Sequence, residues 1–250
     1  MDYSSLRLIG IGLFLIFICT LFIGSIILFI RAHQNSKELE KTDFYGYSLA
    51  LFFLSVAIAY IIRFYFMFFL AQTEQEFLMQ MRAQHRLPES LPAYAEDGRL
   101  FILQYLWQLH MASVLIGIGF LMFATEYKIY TKTKYFFTIL TFAVMVILIV
   151  FPYEIAHQLF YISYISPLAW MLIYINLARK SVGDIRKNAV MLFLGFILFI
   201  IGIIFNSGTA RYLLSLLFGL SIHEILTVIV APIMLTIGFV IILLAMLNKF

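Results

Sequence analysis

Seven stretches of this 250-residue chain are apolar for long enough to cross a bilayer, and that pattern removes most folds otherwise open to it. A hydrocarbon core of roughly 30 Å takes about 20 helical residues at 1.5 Å each. The runs cover approximately 8–30, 48–70, 101–125, 135–151, 158–178, 189–206 and 225–247. The fourth and sixth are the shortest and leave little room for tilt. Each run is apolar on every side, whereas the strands of a membrane barrel alternate apolar and polar residues. Only 12% of the residues are charged, about half the share usual in a soluble domain. The expected fold is all-α: an integral membrane seven-helix bundle forming one domain over residues 1–250.

Orientation follows from the basic residues, which gather on the cytoplasmic side of membrane proteins. The first, third and fifth loops hold Arg31, Lys37, Lys41, Lys128, Lys132, Lys134, Arg179, Lys180, Arg186 and Lys187. With Lys249 that side has eleven of the seventeen. The opposite side has five: Arg7, Arg82, Arg86, Arg99 and Arg211. The N-terminus is therefore expected outside and the C-terminus in the cytoplasm. A cleaved signal peptide does not fit, because no small-residue cleavage site follows the first run and its basic loop would be stranded outside. The net charge of +4 sits in short loops and reflects orientation rather than a nucleic-acid partner.

Two segments between spans have content of their own. In residues 72–100, Phe77, Leu78 and Met81 share a helical face, which predicts a short helix on the outer interface ended by Pro88 and Pro92. Residues 209–224, "TARYLLSLLFGLSIHE", are too apolar for a free loop and too short for two crossings. They read as interfacial or re-entrant.

The polar residues inside the spans carry the functional expectation. Arg63 interrupts "AIAYIIRFYFMFF". A charge at bilayer depth costs about 2.5–3.5 kcal/mol, so it faces the bundle or a wet cavity. The outer half offers partners: Gln104 and Gln108 on one face of span three, Glu154 and His157 in the hairpin between spans four and five, Asn206 at the end of span six, and Glu224 before span seven. This set predicts a polar ligand pocket with Arg63 at its base and Glu154 or Glu224 as counter-ion. The alternative is a structural ion pair that fixes helix packing. His110 points away from Gln108 toward another contact. The cytoplasmic half offers no comparable set, with Asn176 its main polar side chain. Glu126 beside Lys128 reads as a cytoplasmic ion-pair cluster, Asp184 as a helix cap, and Pro167 and Pro232 as kinks.

No catalytic, metal or cofactor site is expected. Glu154 and His157 form a single Glu-x-x-His, where a carboxylate-bridged diiron centre needs two and further carboxylates. His110 and His157 are not brought into register for haem, and the one cysteine, Cys19, forms no intramolecular disulfide. No Walker loop, nucleophile elbow or HExxH is present.

Seven spans, an outside N-terminus, a polar outer half and a basic inner face resemble seven-helix sensory modules and receptors, including the N-terminal sensor region of some prokaryotic histidine kinases. The likeness covers the whole chain at the level of topology. The end of span three runs Glu126, Tyr127, Lys128 in place of the acid-Arg-Tyr motif of rhodopsin-like receptors, and span seven has no lysine for a retinal Schiff base. The resemblance implies a sensor or receptor-like protein binding a small or lipid-like ligand in its outer half. Because the chain stops at "LNKF" just after span seven, the signal is expected to pass to a separate cytoplasmic protein or a homo-oligomer. A small-molecule or ion transporter is the rival reading, and a membrane-embedded enzyme a weaker one. High Ile and Phe usage points to the plasma membrane of a prokaryote.

Overall fold

The computed structural model describes residues 3–69, 99–206 and 225–247. Among these residues the chain is all helical. The first four helices are α1 (Tyr3–Glu38), α2 (Phe44–Phe69), α3 (Arg99–Lys128) and α4 (Phe136–Val150). The rest are α5 (Tyr153–Phe160), α6 (Ile165–Lys180), α7 (Gly183–Asn206) and α8 (Ala231–Leu247). Six helical segments are long and apolar enough to cross a membrane, and Phe136–Val150 is a shorter apolar helix. The two inter-span segments singled out above, at 72–98 and 209–224, lie outside the described residues, as does Glu224.

The membrane-length helices pack in sequence order, each on the next, and α8 returns to α1 to close a ring. Successive crossings run in opposite directions, with α5 and α6 together making one of them, so α1 and α8 finish at the same end. Arg31 there donates to the carbonyl of Leu247, filling one of the acceptors that the end of α8 leaves open. This end also carries the basic loops and is called the basic end below. The opposite end carries Arg63.

Aromatic side chains fill the middle of the ring. Phe239 is fully buried and is surrounded by Phe17, Phe52, Phe53 and Phe199, with ring centroids 4.6–5.8 Å away. Trp170 extends the cluster toward the basic end, 4.3 Å from Tyr174 and 4.6 Å from Phe196. Close packing of these rings contributes many small dispersion contacts. Packing is closest between α7 and α8. A Cβ on Gly238 would lie 2.7 Å from the Gly195 carbonyl oxygen and 2.8 Å from the Phe199 nitrogen, so the two backbones touch.

The prolines do not act alike. Pro167 is the third residue of α6, directly after a 3-10 turn, Tyr161–Tyr164. The fifth apolar run lies on one continuous helical segment, Gln158–Lys180, in which α5 passes through this tighter turn into α6. Pro232 is the second residue of α8 and follows a π-helical turn, Leu226–Val230. The wider turn makes room where the proline ring would meet the carbonyl one turn back.

Candidate functional site

The short helix α4 explains where several buried polar groups go. Its 15 residues rise about 22 Å, less than a hydrocarbon core of roughly 30 Å. The hydrogen-bonding groups at both of its ends have no partner within the helix. Helix α3 supplies both. Glu126, 1% exposed, accepts the N–H of Phe137 at 3.2 Å, the N–H of Thr138 at 2.9 Å and the Thr138 hydroxyl at 2.5 Å. At the other end Gln108 donates to the Phe151 carbonyl at 2.9 Å. The two residues stand 18 positions apart, about 27 Å along α3, and so bracket α4.

Glu126 is therefore not part of a surface ion-pair cluster with Lys128. Residues two apart on a helix do not face one another. Lys128 instead lies over the Tyr45 ring, 4.5 Å from its centroid. The negative carboxylate meets the positive end of α4, a favourable pairing. The turn before α4 holds Lys134 and Tyr135 at φ values of 49° and 63°, a left-handed conformation costing about 1–2 kcal/mol per residue. The three bonds to Glu126 fix the helix that follows it.

The basic end is also more polar than its sequence implies. Trp170 Nε1 donates to Thr125 Oγ1 at 3.1 Å, and Thr125 in turn donates to the Leu121 carbonyl. Thr141 and Ser166 join α4 to α6 at 2.7 Å. Asn188, Tyr45 and Tyr174 are buried there too. Asp184 lies within the first turn of α7, where its charge suits the helix's positive end.

At the other end, Arg63 is half-buried on α2. Its guanidinium donates to the Asn206 backbone carbonyl at 3.1 Å, at the last residue of α7. A cation on the final carbonyl of a helix is favourable on both hydrogen-bonding and dipole grounds. The bond reaches across the ring, because the neighbours of α2 in it are α1 and α3. Close by, Thr227 in the π-helical turn donates to the Phe205 carbonyl at 3.2 Å, so two side chains hold the end of α7.

Beside Arg63 lies a half-open cleft lined by Ile62, Arg63, Leu106, Trp107 and His110, with room in its floor for about one water. His110 is buried with its Nδ1 2.8 Å from the Ala59 carbonyl. That contact requires the proton on Nδ1, since a carbonyl oxygen only accepts. The Tyr60 ring meets the imidazole edge to face at 6.0 Å.

Of the expected pocket residues, Arg63 and Asn206 are brought together, through the Asn206 backbone. Gln108 turns instead to the end of α4, with Gln104 half-buried one turn away on the same face. Glu154 and His157 lie on α5, with their side chains outside the described part of the structure. His110 and Trp107 belong to the site although the expected set left them out. The signal was their i,i+3 spacing on span three, which puts both on one helix face. Among the described residues no cluster of metal-ligating side chains is present. Comparison of the chain with protein-family models, curated proteins and solved structures yields no match.

Proposed function

We propose that the chain is a seven-span integral membrane protein, N-terminus outside and C-terminus cytoplasmic. In this reading it is a receptor-like or sensory module that binds a small or lipid-like ligand at the Arg63 end. The observation that carries the reading is a half-buried guanidinium on an apolar span, beside a cleft that also holds the His110 imidazole and the Trp107 indole. Ionisable groups held at membrane depth are costly and tend to mark functional sites. The separation of Arg63 from the basic loops by the length of the bundle supports the orientation, with the ligand end outside. The aromatic filling of the ring favours a sensor over an open conduit, since Phe239 and its four neighbours occupy the centre.

The test is thermal unfolding of purified wild type and Arg63→Leu against a broad panel of metabolites and lipids. A ligand at 100 times its Kd stabilises by about 2.7 kcal/mol when it binds only the folded form. The expected result is a stabilising compound whose effect disappears in Arg63→Leu. A panel without effect on wild type, or one acting equally on both proteins, overturns the reading.

A further inference from the structure

We infer that two copies of the chain associate through the outer face of α6, with Asn176 meeting Asn176 across a two-fold axis. The inference rests on the membrane reading just proposed and is independent of the Arg63 site. Helix α6 belongs to the segment Gln158–Lys180, the least covered of the six membrane-length segments. Only 22% of its apolar window is buried, against 39% or more in the others. Its exposed residues include one continuous stripe: Ile165, Leu168, Leu172, Asn176 and Arg179. These four steps cover the 14 residues from 165 to 179, an average of 3.5. That repeat keeps a seam facing a second helix as the two wind around each other. The side chains on the opposite face, Ser166, Trp170 and Tyr174, are buried in the bundle.

An apolar stripe alone is covered by lipid; Asn176 makes the difference. It lies four residues before Lys180, about 6 Å inward along the helix. Among the described residues its carboxamide forms no hydrogen bond. Lipid tails offer it no partner, and polar side chains on crossing helices bond across to a neighbouring helix. The chemistry of the amide selects that neighbour. A carboxamide carries both donor and acceptor, so it is complementary to a second carboxamide. Two copies inserted the same way round are related by a two-fold axis along the membrane normal, which sets each residue of the seam against its own counterpart. Asn176 then pairs with Asn176, Leu168 and Leu172 pack on their counterparts, and Arg179 reaches out to the headgroups. A single Asn among apolar seam residues also fixes the register of the pair.

The experiment uses the full chain with Cys19→Ser in lipid vesicles. One form carries Leu172→Cys on the α6 stripe and a control carries Ile26→Cys on the outer face of α1; the two positions are 66% and 57% exposed. Oxidation is expected to join the Leu172→Cys copies into a disulfide dimer and to leave the Ile26→Cys copies at the level of random collision. Association is then measured by energy transfer between dyes on Lys132→Cys, an exposed position, as the protein is diluted in lipid. Asn176→Leu is expected to raise the dissociation constant about 3- to 30-fold, the value of one polar contact between crossing helices. Asn176→Gln, which keeps the carboxamide, is expected to restore most of the association. Equal crosslinking at both cysteines, or a dimer indifferent to Asn176→Leu, overturns the proposal. Energy transfer absent at every density overturns it too and leaves the amide to lipid headgroups or to a different protein's helix. Protein that does not float with the vesicles overturns the membrane reading together with the proposal.

Discussion

Replacing Glu126 with alanine tests the idea that α3 holds the ends of α4. The change removes the acceptor of two backbone N–H groups and one hydroxyl, all at a helix start that the chain does not otherwise cap. A buried donor left unsatisfied costs about 1–3 kcal/mol. The Thr138 hydroxyl can rotate to another acceptor, so the two N–H groups set the cost at about 2–6 kcal/mol. Removing a buried carboxylate returns part of this, which puts the expected net loss at about 3 kcal/mol. Glu126→Gln keeps one acceptor oxygen and is expected to lose about half as much. The assay is equilibrium unfolding in detergent, combined with hydrogen exchange resolved along the chain. A local opening made easier by about 3 kcal/mol speeds exchange by roughly 100-fold. That acceleration is expected at the first turn of α4 and not at α1 or α8. Glu126→Ala as stable as wild type, with exchange at residues 137–140 unchanged, refutes the reasoning.

Gln108→Ala removes a neutral hydrogen bond at the other end of α4 and is expected to cost about 1 kcal/mol. Its exchange signature falls at residues 148–151. Gly238→Ala places a methyl group 2.7 Å from the Gly195 carbonyl, and separating α7 from α8 is expected to cost about 1–3 kcal/mol in unfolding measurements. Phe239→Ala empties the centre of the aromatic cluster; about 3–5 kcal/mol is expected, and Phe239→Leu recovers part of it.

The long helices were legible because unbroken apolar composition marks their extent. Six of the expected runs lie on helical segments of membrane length, and the run at 135–151 coincides with the shorter Phe136–Val150. The tighter winding at residues 161–164 was not legible, since Pro167 looks the same in sequence whatever winding precedes it. Glu126 was misread because adjacency in sequence is not adjacency on a helix surface; its partners lie 11 and 12 residues on. The buried polar groups of the basic end were overlooked because tyrosine, threonine and tryptophan count as near-apolar until their hydroxyl and N–H partners are seen. At the Arg63 end the sequence put Arg63 and Asn206 at one end of the bundle, and the structure joins them through the Asn206 backbone. It did not supply the rotation of each helix, which sends Gln108 to α4 and His110 to α2.

The chain has two tryptophans, Trp107 in the cleft and Trp170 in the core. A Trp170→Phe variant therefore reports from the proposed site alone, and its fluorescence under titration with an anionic amphiphile such as dodecanoate is the most direct measurement to make. A saturable change in Trp107 emission that is lost on adding Arg63→Leu is the predicted result. A Trp107 signal that does not saturate, or one that persists unchanged without the arginine, contradicts a ligand site at Arg63.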